Sequence, residues 1–171
     1  MDHALFVGRF QPLHDGHMAV IEDLFRKHGE VTIVIGSANE QGTEKNPFSA
    51  KERTEMLAGA LSARGMGSIR LLQIEDFHDD VLWTGAIKRS VTFSAVYSRN
   101  PWTTLCFKKN GVKVAKHRFF HERKYSGHRI RKLMAEGKDW KGLVPQEVYD
   151  YVTSIGGAAR VRRIFSEGKK A

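Results

Sequence analysis

The chain has 171 residues, 41% hydrophobic and 27% charged, which allows one domain with a real core and leaves little room for a second. No apolar run reaches the roughly eighteen residues needed to cross a bilayer, and the N-terminus lacks the basic-then-apolar pattern of a signal peptide. The single cysteine, Cys106, excludes an internal disulfide; the expected location is a reducing cytoplasm, with Cys106 a buried thiol between Leu105 and Phe107. A net charge of +9 suits a protein that handles polyanions, either nucleic acid or small nucleotides.

Residues 4–8 (ALFVG) read as a buried strand, and Met18, Ile21, Leu24 and Phe25 then recur with helical period. Residues 31–37 (VTIVIGS) are β-branched and apolar, as a central parallel strand requires. Ser49 and Glu52 form a capping box that opens a helix to about Leu61. A third strand is expected at 69–76 and a helix within 80–91. A fourth strand follows at 94–100, with Pro101 in the first turn of a short helix. Residues 111–117 make a fifth, weaker strand, and Ser126 caps a helix carrying Ile130, Leu133 and Met134 on one face. Helices at 145–155 and 158–168 close the chain, and residues 168–171 are expected to fray.

This alternation predicts an α/β fold: a doubly wound, mostly parallel five-stranded sheet with helices on both faces. Residues 1–171 are read as a single domain with a short helical part from about 145. In such a fold the functional loops lie at the carboxyl ends of the strands.

The loop after the first strand reads FVGRFQPLHDGH (6–17). Gly8 lets the chain turn, Pro12 stiffens it, and Gly16 permits close approach where the helix starts. His14 and His17 flank that helix start, where free N–H groups and the dipole attract an anion. Imidazoles there can donate to phosphate oxygens, and Arg9 and Gln11 project from the same turn. A zinc site would need further ligands, and the sequence shows no Cys or carboxylate cluster to supply them. The G-x-x-x-x-G-K-[ST] and G-x-G-x-x-G phosphate loops are both absent.

The string G-R-F-Q-P-x-H-x-G-H resembles the signature of the nucleotidyltransferase superfamily with the H-x-G-H motif. YSGHRIR (125–131) resembles its second signature, in which a Ser-Gly helix start and an arginine hold triphosphate. IGSANEQGTEKNPFSAKER (35–53), DVLWTGAIK (80–88) and VYSRNP (96–101) are similar, in order and spacing, to archaeal-type nicotinamide mononucleotide (NMN) adenylyltransferases. The resemblance spans about residues 4 to 155 and implies a Rossmann-like fold. The implied activity is adenylyl transfer from ATP to NMN, giving NAD⁺ and pyrophosphate.

The resemblance implies that Arg9, His14, His17 and Arg131 surround the ATP phosphates as the catalytic cage. Gly8, Phe10, Gln11, Gly16, Lys45, Asn100, Tyr125, Ser126, Gly127 and His128 would border ATP. Ser37, Ala38, Asp76 and Trp83 would border NMN, with Trp83 stacked on the nicotinamide ring. His128 stands where the family commonly has threonine, Arg99 where it has a small residue, and Lys45 where it tends to have arginine. A divalent cation, expected as Mg²⁺, would be held through substrate phosphates with no protein ligand set. The implied partners are small nucleotides and further copies of the chain, hexamers being frequent in the archaeal type. Neither a membrane nor nucleic acid is an expected partner. The alternatives are an adenylyl- or cytidylyltransferase acting on phosphopantetheine or flavin mononucleotide and, more remotely, a non-catalytic nucleotide or nucleic-acid binder motivated by the basic RVRRIF tail.

Overall fold

The first apolar run becomes strand β1 (His3–Gly8), followed along the chain by β2 (Glu30–Ile35), β3 (Arg70–Gln73), β4 (Ala95–Tyr97) and β5 (Val114–Ala115). In this computed structural model, which describes residues 2–77, 79–117 and 124–168, they form one sheet in the order β3-β2-β1-β4-β5. Every pairing is parallel, with Phe6 between Ile33 and Tyr97. The chain steps outward from β1 to β3 and then resumes on the other side at β4. The strand order therefore reverses beside the carboxyl end of β1, the place where such sheets bind ligands.

The helices are α1 (Asp15–His28), α2 (Ala50–Ser62), α3 (Asp80–Ser90), α4 (Pro101–Lys109), α5 (Gly127–Glu136), α6 (Gln146–Ser154) and α7 (Gly157–Gly168). A short 3-10 turn at Lys141–Leu143 has no counterpart in the predicted elements. The described residues fall into two compact units. One comprises residues 2–9, 19–39 and 68–117 and holds the sheet with α3, α4 and most of α1. The other comprises 10–18, 40–67 and 124–168 and holds α2, α5, α6 and α7.

Successive strand side chains point to opposite faces, so a strand covered on both sides is apolar throughout. Leu5, Val7, Val34 and Val96 pack with Trp83 and Ile87 of α3 and Cys106 and Phe107 of α4. Their alternates Ala4, Phe6, Ile33 and Ile35 are buried as well. Cys106 is 1% exposed and burial raises its thiol pKa, so it is a packing residue with little thiolate.

The third and fourth strands are shorter than their apolar runs because flanking residues are drawn into loop and cap bonds, and the fifth is shorter than its run as well. Beyond β3, the Asp76 N–H donates to Asn39 Oδ1 at 2.9 Å. Beyond β4, Asn100 turns to cap α4, its Oδ1 accepting from the Thr103 N–H at 3.1 Å. Only Val114 and Ala115 pair at the sheet edge, flanked by Lys113 and Lys116, charged residues that suit an edge.

In the helical unit the predicted capping box forms: the Glu52 N–H donates to Ser49 Oγ at 3.2 Å and the Ser49 N–H to Glu52 Oε2 at 2.8 Å. Ser126 caps α5, and Gly137 ends it in the left-handed conformation at φ 67°. The expected fraying falls, beyond Gly168, on residues outside those described. Gly157 opens α7 against Phe48; a Cβ there would lie 2.8 Å from Val152 Cγ1 and 2.9 Å from Phe48 Cε1. Gly157→Ala is therefore expected to destabilise the protein by about 1–3 kcal/mol, the usual cost of overpacking. Urea unfolding reads this directly, and an unchanged midpoint would mean that α7 shifts freely away from Phe48.

Candidate active site

The helical unit brings the two sequence signatures together through backbone bonds. Gln11 is 4% exposed and grips the chain at Phe48, its Nε2 donating to Phe48 O at 2.8 Å and its Oε1 accepting from the Phe48 N–H at 3.0 Å. Gln11 was expected to project toward a nucleotide; both ends of its amide are instead committed to Phe48. Its carbonyl accepts from Arg131 Nη1 at 2.7 Å, and Arg131 Nε donates to Glu44 O at 2.8 Å. A guanidinium that is 7% exposed thus ties the H-x-G-H loop and the 40–46 loop to α5. Burying a charge is costly unless its donors are satisfied, which makes these carbonyls part of the site's architecture.

Two glycines make this approach possible. A Cβ on Gly127 would sit 2.8 Å from Gln11 O and 3.0 Å from Arg131 Nη1. A Cβ on Gly16 would sit 2.8 Å from Tyr125 Cβ and 3.2 Å from His14 Nδ1. Each motif glycine is needed because the other motif lies against it. Ser126 Oγ accepts from the Arg129 N–H at 3.2 Å and keeps its hydrogen for another acceptor. Lys45 and His128 are exposed, Tyr125 is partly buried, and Phe10 is 1% exposed with a left-handed φ of 53°. Such a φ is uncommon for a bulky residue and stores strain in the loop.

The imidazoles of His14 and His17 stack, with centroids 3.5 Å apart and planes inclined by 16°, and the Phe10 ring meets His17 edge-on at 4.9 Å. The His17 N–H donates to His14 Nδ1 at 3.2 Å. That bond makes Nδ1 the acceptor and puts the proton of the neutral ring on Nε2, a ready hydrogen-bond donor. His14 is 7% exposed, and burial lowers its pKa from 6.5 to about 4. At neutral pH it donates as an uncharged group.

The sheet unit holds the remaining expected residues. Gly36 N–H donates to Gly8 O at 3.0 Å and Ala38 N–H to Ile74 O at 3.0 Å, closing the ends of the strands. Ser37 takes a left-handed φ of 50°, and its Oγ donates to Asp76 Oδ2 at 2.6 Å. Asn39, which no motif in the sequence marks, brackets Asp76 at both its backbone N–H and C=O. Arg9 is partly buried, and Asn100 is exposed. Arg99 donates Nε to His117 O at 2.8 Å.

Trp83 is 1% exposed, with Phe107 and Trp102 edge-on at 5.5 and 5.0 Å. Its indole Nε1 is buried with no hydrogen-bond partner among the described residues. No group of three or more His, Cys, Asp and Glu side chains among the described residues could hold a metal ion.

An all-parallel sheet ordered 3-2-1-4-5 defines a doubly wound α/β protein, a class that binds ligands at the carboxyl ends of its strands. The chain belongs to the cytidylyltransferase-like family, whose model matches residues 5–133. It is 38% identical over 170 residues to the nicotinamide-nucleotide adenylyltransferase of Methanolobus tindarius, covering 99% of this chain and 98% of that protein. The proteins of the same name from Pyrococcus furiosus and Archaeoglobus fulgidus are each 37% identical, covering 96% and 94% of this chain and 89% and 96% of their own lengths. Among solved structures, a bifunctional NMN adenylyltransferase/ADP ribose pyrophosphatase from Francisella tularensis, complexed with AMP and Mn ion, superimposes with a TM-score of 0.81 at 20% identity. This chain is 99% covered and spans about half of that one, 53%, so the likeness is one of fold.

The depressed His14 pKa has a consequence for acid stability. The folded value lies below the ordinary one, so the stability contributed by the neutral ring is fully present above 6.5 and is lost as pH falls through about 4. NMR titration of the ring protons is expected to show His14 with a midpoint near 4. A midpoint at the ordinary histidine value would mean that the ring is open to water.

Proposed function

We propose that this protein transfers the adenylyl group of ATP to NMN, forming NAD⁺ and pyrophosphate. The observation that carries this reading is the joining of the H-x-G-H loop to the Ser-Gly start of α5 by the Arg131–Gln11 bond, with two stacked imidazoles beside it. The names of the relatives matched over nearly their whole length support the acceptor.

In the proposed reaction the 5′-phosphate of NMN attacks the α-phosphorus of ATP. The new P–O bond forms as the bond to the β-phosphate oxygen breaks, and pyrophosphate leaves with its electron pair. A phosphate dianion is already nucleophilic, so no general base is needed. Catalysis is then alignment of two polyanions and stabilisation of charge on the leaving group. His14 donates Nε2–H as a neutral group, and His17, Arg9 and Arg131 complete the cage around the phosphates. Ser126, Lys45, Asn100 and the backbone at Gly16 and Gly127 hold the nucleotide, while Ser37, Ala38, Asp76 and Trp83 take NMN. The buried indole N–H of Trp83 supports this last role, because an acceptor on a ligand would remove the cost of leaving it unpaired. Mg²⁺ enters as part of the substrate, bound to the triphosphate.

The reading extends to a single nucleotidyltransferase domain in a cytoplasmic homo-oligomer. No helix among the described residues is long and apolar enough to cross a membrane. Val81, Leu82, Trp102 and Leu105 are exposed on α3 and α4, apolar surface of the kind that subunit contacts cover.

Purified protein is expected to release pyrophosphate from ATP when given NMN, and far less with phosphopantetheine or flavin mononucleotide; preference for another acceptor would overturn the assignment. His17→Ala should lower turnover by about 10²–10³-fold, the usual cost of removing one donor aimed at developing charge. Near-normal turnover in that variant would remove His17 from the cage. Trp83→Phe keeps an aromatic ring but deletes the N–H, and should raise KM for NMN more than for ATP. Equal changes would make Trp83 a packing residue only.

A further inference from the structure

The basic tail in α7 is unused by the reaction, yet its Arg160 is paired with the protein and its Arg162, though exposed, lies by the end of α5. Arg162 Nη2 lies 2.8 Å from where a Cβ on Gly137, the αL cap of α5, would stand. Arg160 reaches α2: its Nη1 donates to Glu52 Oε2 at 2.9 Å and its Nη2 to Glu52 Oε1 at 2.6 Å, a fork-on-carboxylate pair. The guanidinium also lies 5.8 Å from the centroid of the Phe48 ring. Side-chain exposures of 26% and 17% leave this pair only partly open to solvent.

Glu52 is also the capping-box residue, accepting from the Ser49 N–H, and Ser49 follows directly on Phe48. Phe48 is 0% exposed and is the residue whose N–H and C=O are gripped by Gln11. Gln11 in turn receives Arg131 and stands three residues before His14. One continuous run of bonds therefore leads from Arg160 through Glu52, Ser49 and Phe48 to Gln11 and the histidine loop. A lone surface ion pair contributes little. This one is bidentate, shares its carboxylate with a helix cap, and lies over the ring of the residue whose backbone the loop grips.

We propose that Arg160 is a positioning residue for the adenylyl transfer: through Glu52 and the Phe48 corner it sets where the H-x-G-H loop holds its imidazoles. The inference rests on the function proposed above and adds a group that no phosphate-binding motif contains. Arg160 touches no reacting atom. Its effect is geometric, and displacements of about 1 Å far from the chemistry can lower rates by up to about a hundredfold.

The test compares wild type with R160Q, R160K and E52Q in the intact chain. Two readouts are used: steady-state kinetics with NMN and MgATP, and ring-proton NMR of His14. R160Q and E52Q should each lower kcat by about tenfold or more with a much smaller change in KM for ATP, because the loop acts on the transition state. Their His14 ring resonances should also move. R160K keeps the charge but not the fork and should fall between wild type and R160Q.

If R160Q melts at lower temperature while kcat per folded molecule and the His14 resonances stay at wild-type values, the pair is only a brace and the proposal is overturned. R160K as impaired as R160Q, with the His14 ring unmoved throughout, would overturn it equally. Should wild type itself release no pyrophosphate with NMN, the functional reading fails separately. The His14 resonances in the same variants then still decide whether Arg160 sets the loop.

Discussion

The candidate site is organised by one close approach, that of the α5 start to the carbonyl of Gln11. At 2.7 Å from the Arg131 guanidinium and 2.8 Å from where a Gly127 methyl would stand, this oxygen leaves no room for any residue but glycine. A buried cation satisfied by backbone carbonyls fixes the distance between two segments that lie more than a hundred residues apart in the chain. Gly16 then does for the α1 start what Gly127 does for α5. The two glycines of the motifs are thus each other's consequence: both exist because the segments touch, and the histidines are held where they touch.

The second consequence is the protonation state of the loop. The enclosure that satisfies Arg131 also removes water from His14, and an imidazole without water prefers to be neutral. Its Nδ1 is occupied by the His17 N–H, so the remaining polarity of the ring is a donor on Nε2. For a site that must hold a polyanion and then release one, a neutral donor has an advantage. It follows the charge developing on phosphate oxygens without the strong ground-state binding that another fixed cation would add. The fixed cations, Arg9 and Lys45, lie partly or fully at the surface.

The elements that periodicity and cap chemistry determine were legible in the sequence: β1 and β2, the Ser49 capping box, Pro101 opening α4, and Ser126 opening α5. The parallel sheet followed from their alternation. What was not legible is which polar group meets which. Gln11 reads as a loop amide free for a ligand, but its partner is the backbone of Phe48, thirty-seven residues on. Arg131 reads as a phosphate cation, and nothing local reveals its two carbonyl partners. Trp83 sits at a position where a helix would bury an indole anyway, so pattern alone could not separate packing from recognition. Periodicity reports which side of an element is inward. It carries no information about hydrogen bonds made across long separations, and those bonds build this site.

The same distinction changes how the charge excess should be read. A net charge of +9 first suggests a surface that attracts polyanions in general, and the RVRRIF tail sharpens that impression. Yet Arg53 is 0% exposed, Arg131 is 7% exposed, and Arg160 is paired with Glu52. These guanidiniums also serve the architecture: they gather backbone carbonyls and a cap carboxylate around the loops that carry the histidines. A field that steers small anions needs exposed charge near the site, whereas a cage that aligns them needs fixed donors behind it. Part of this chain's basic character belongs to the second requirement: Arg160 of the last helix is paired with Glu52, while Arg162 and Arg163 of the same helix stay exposed.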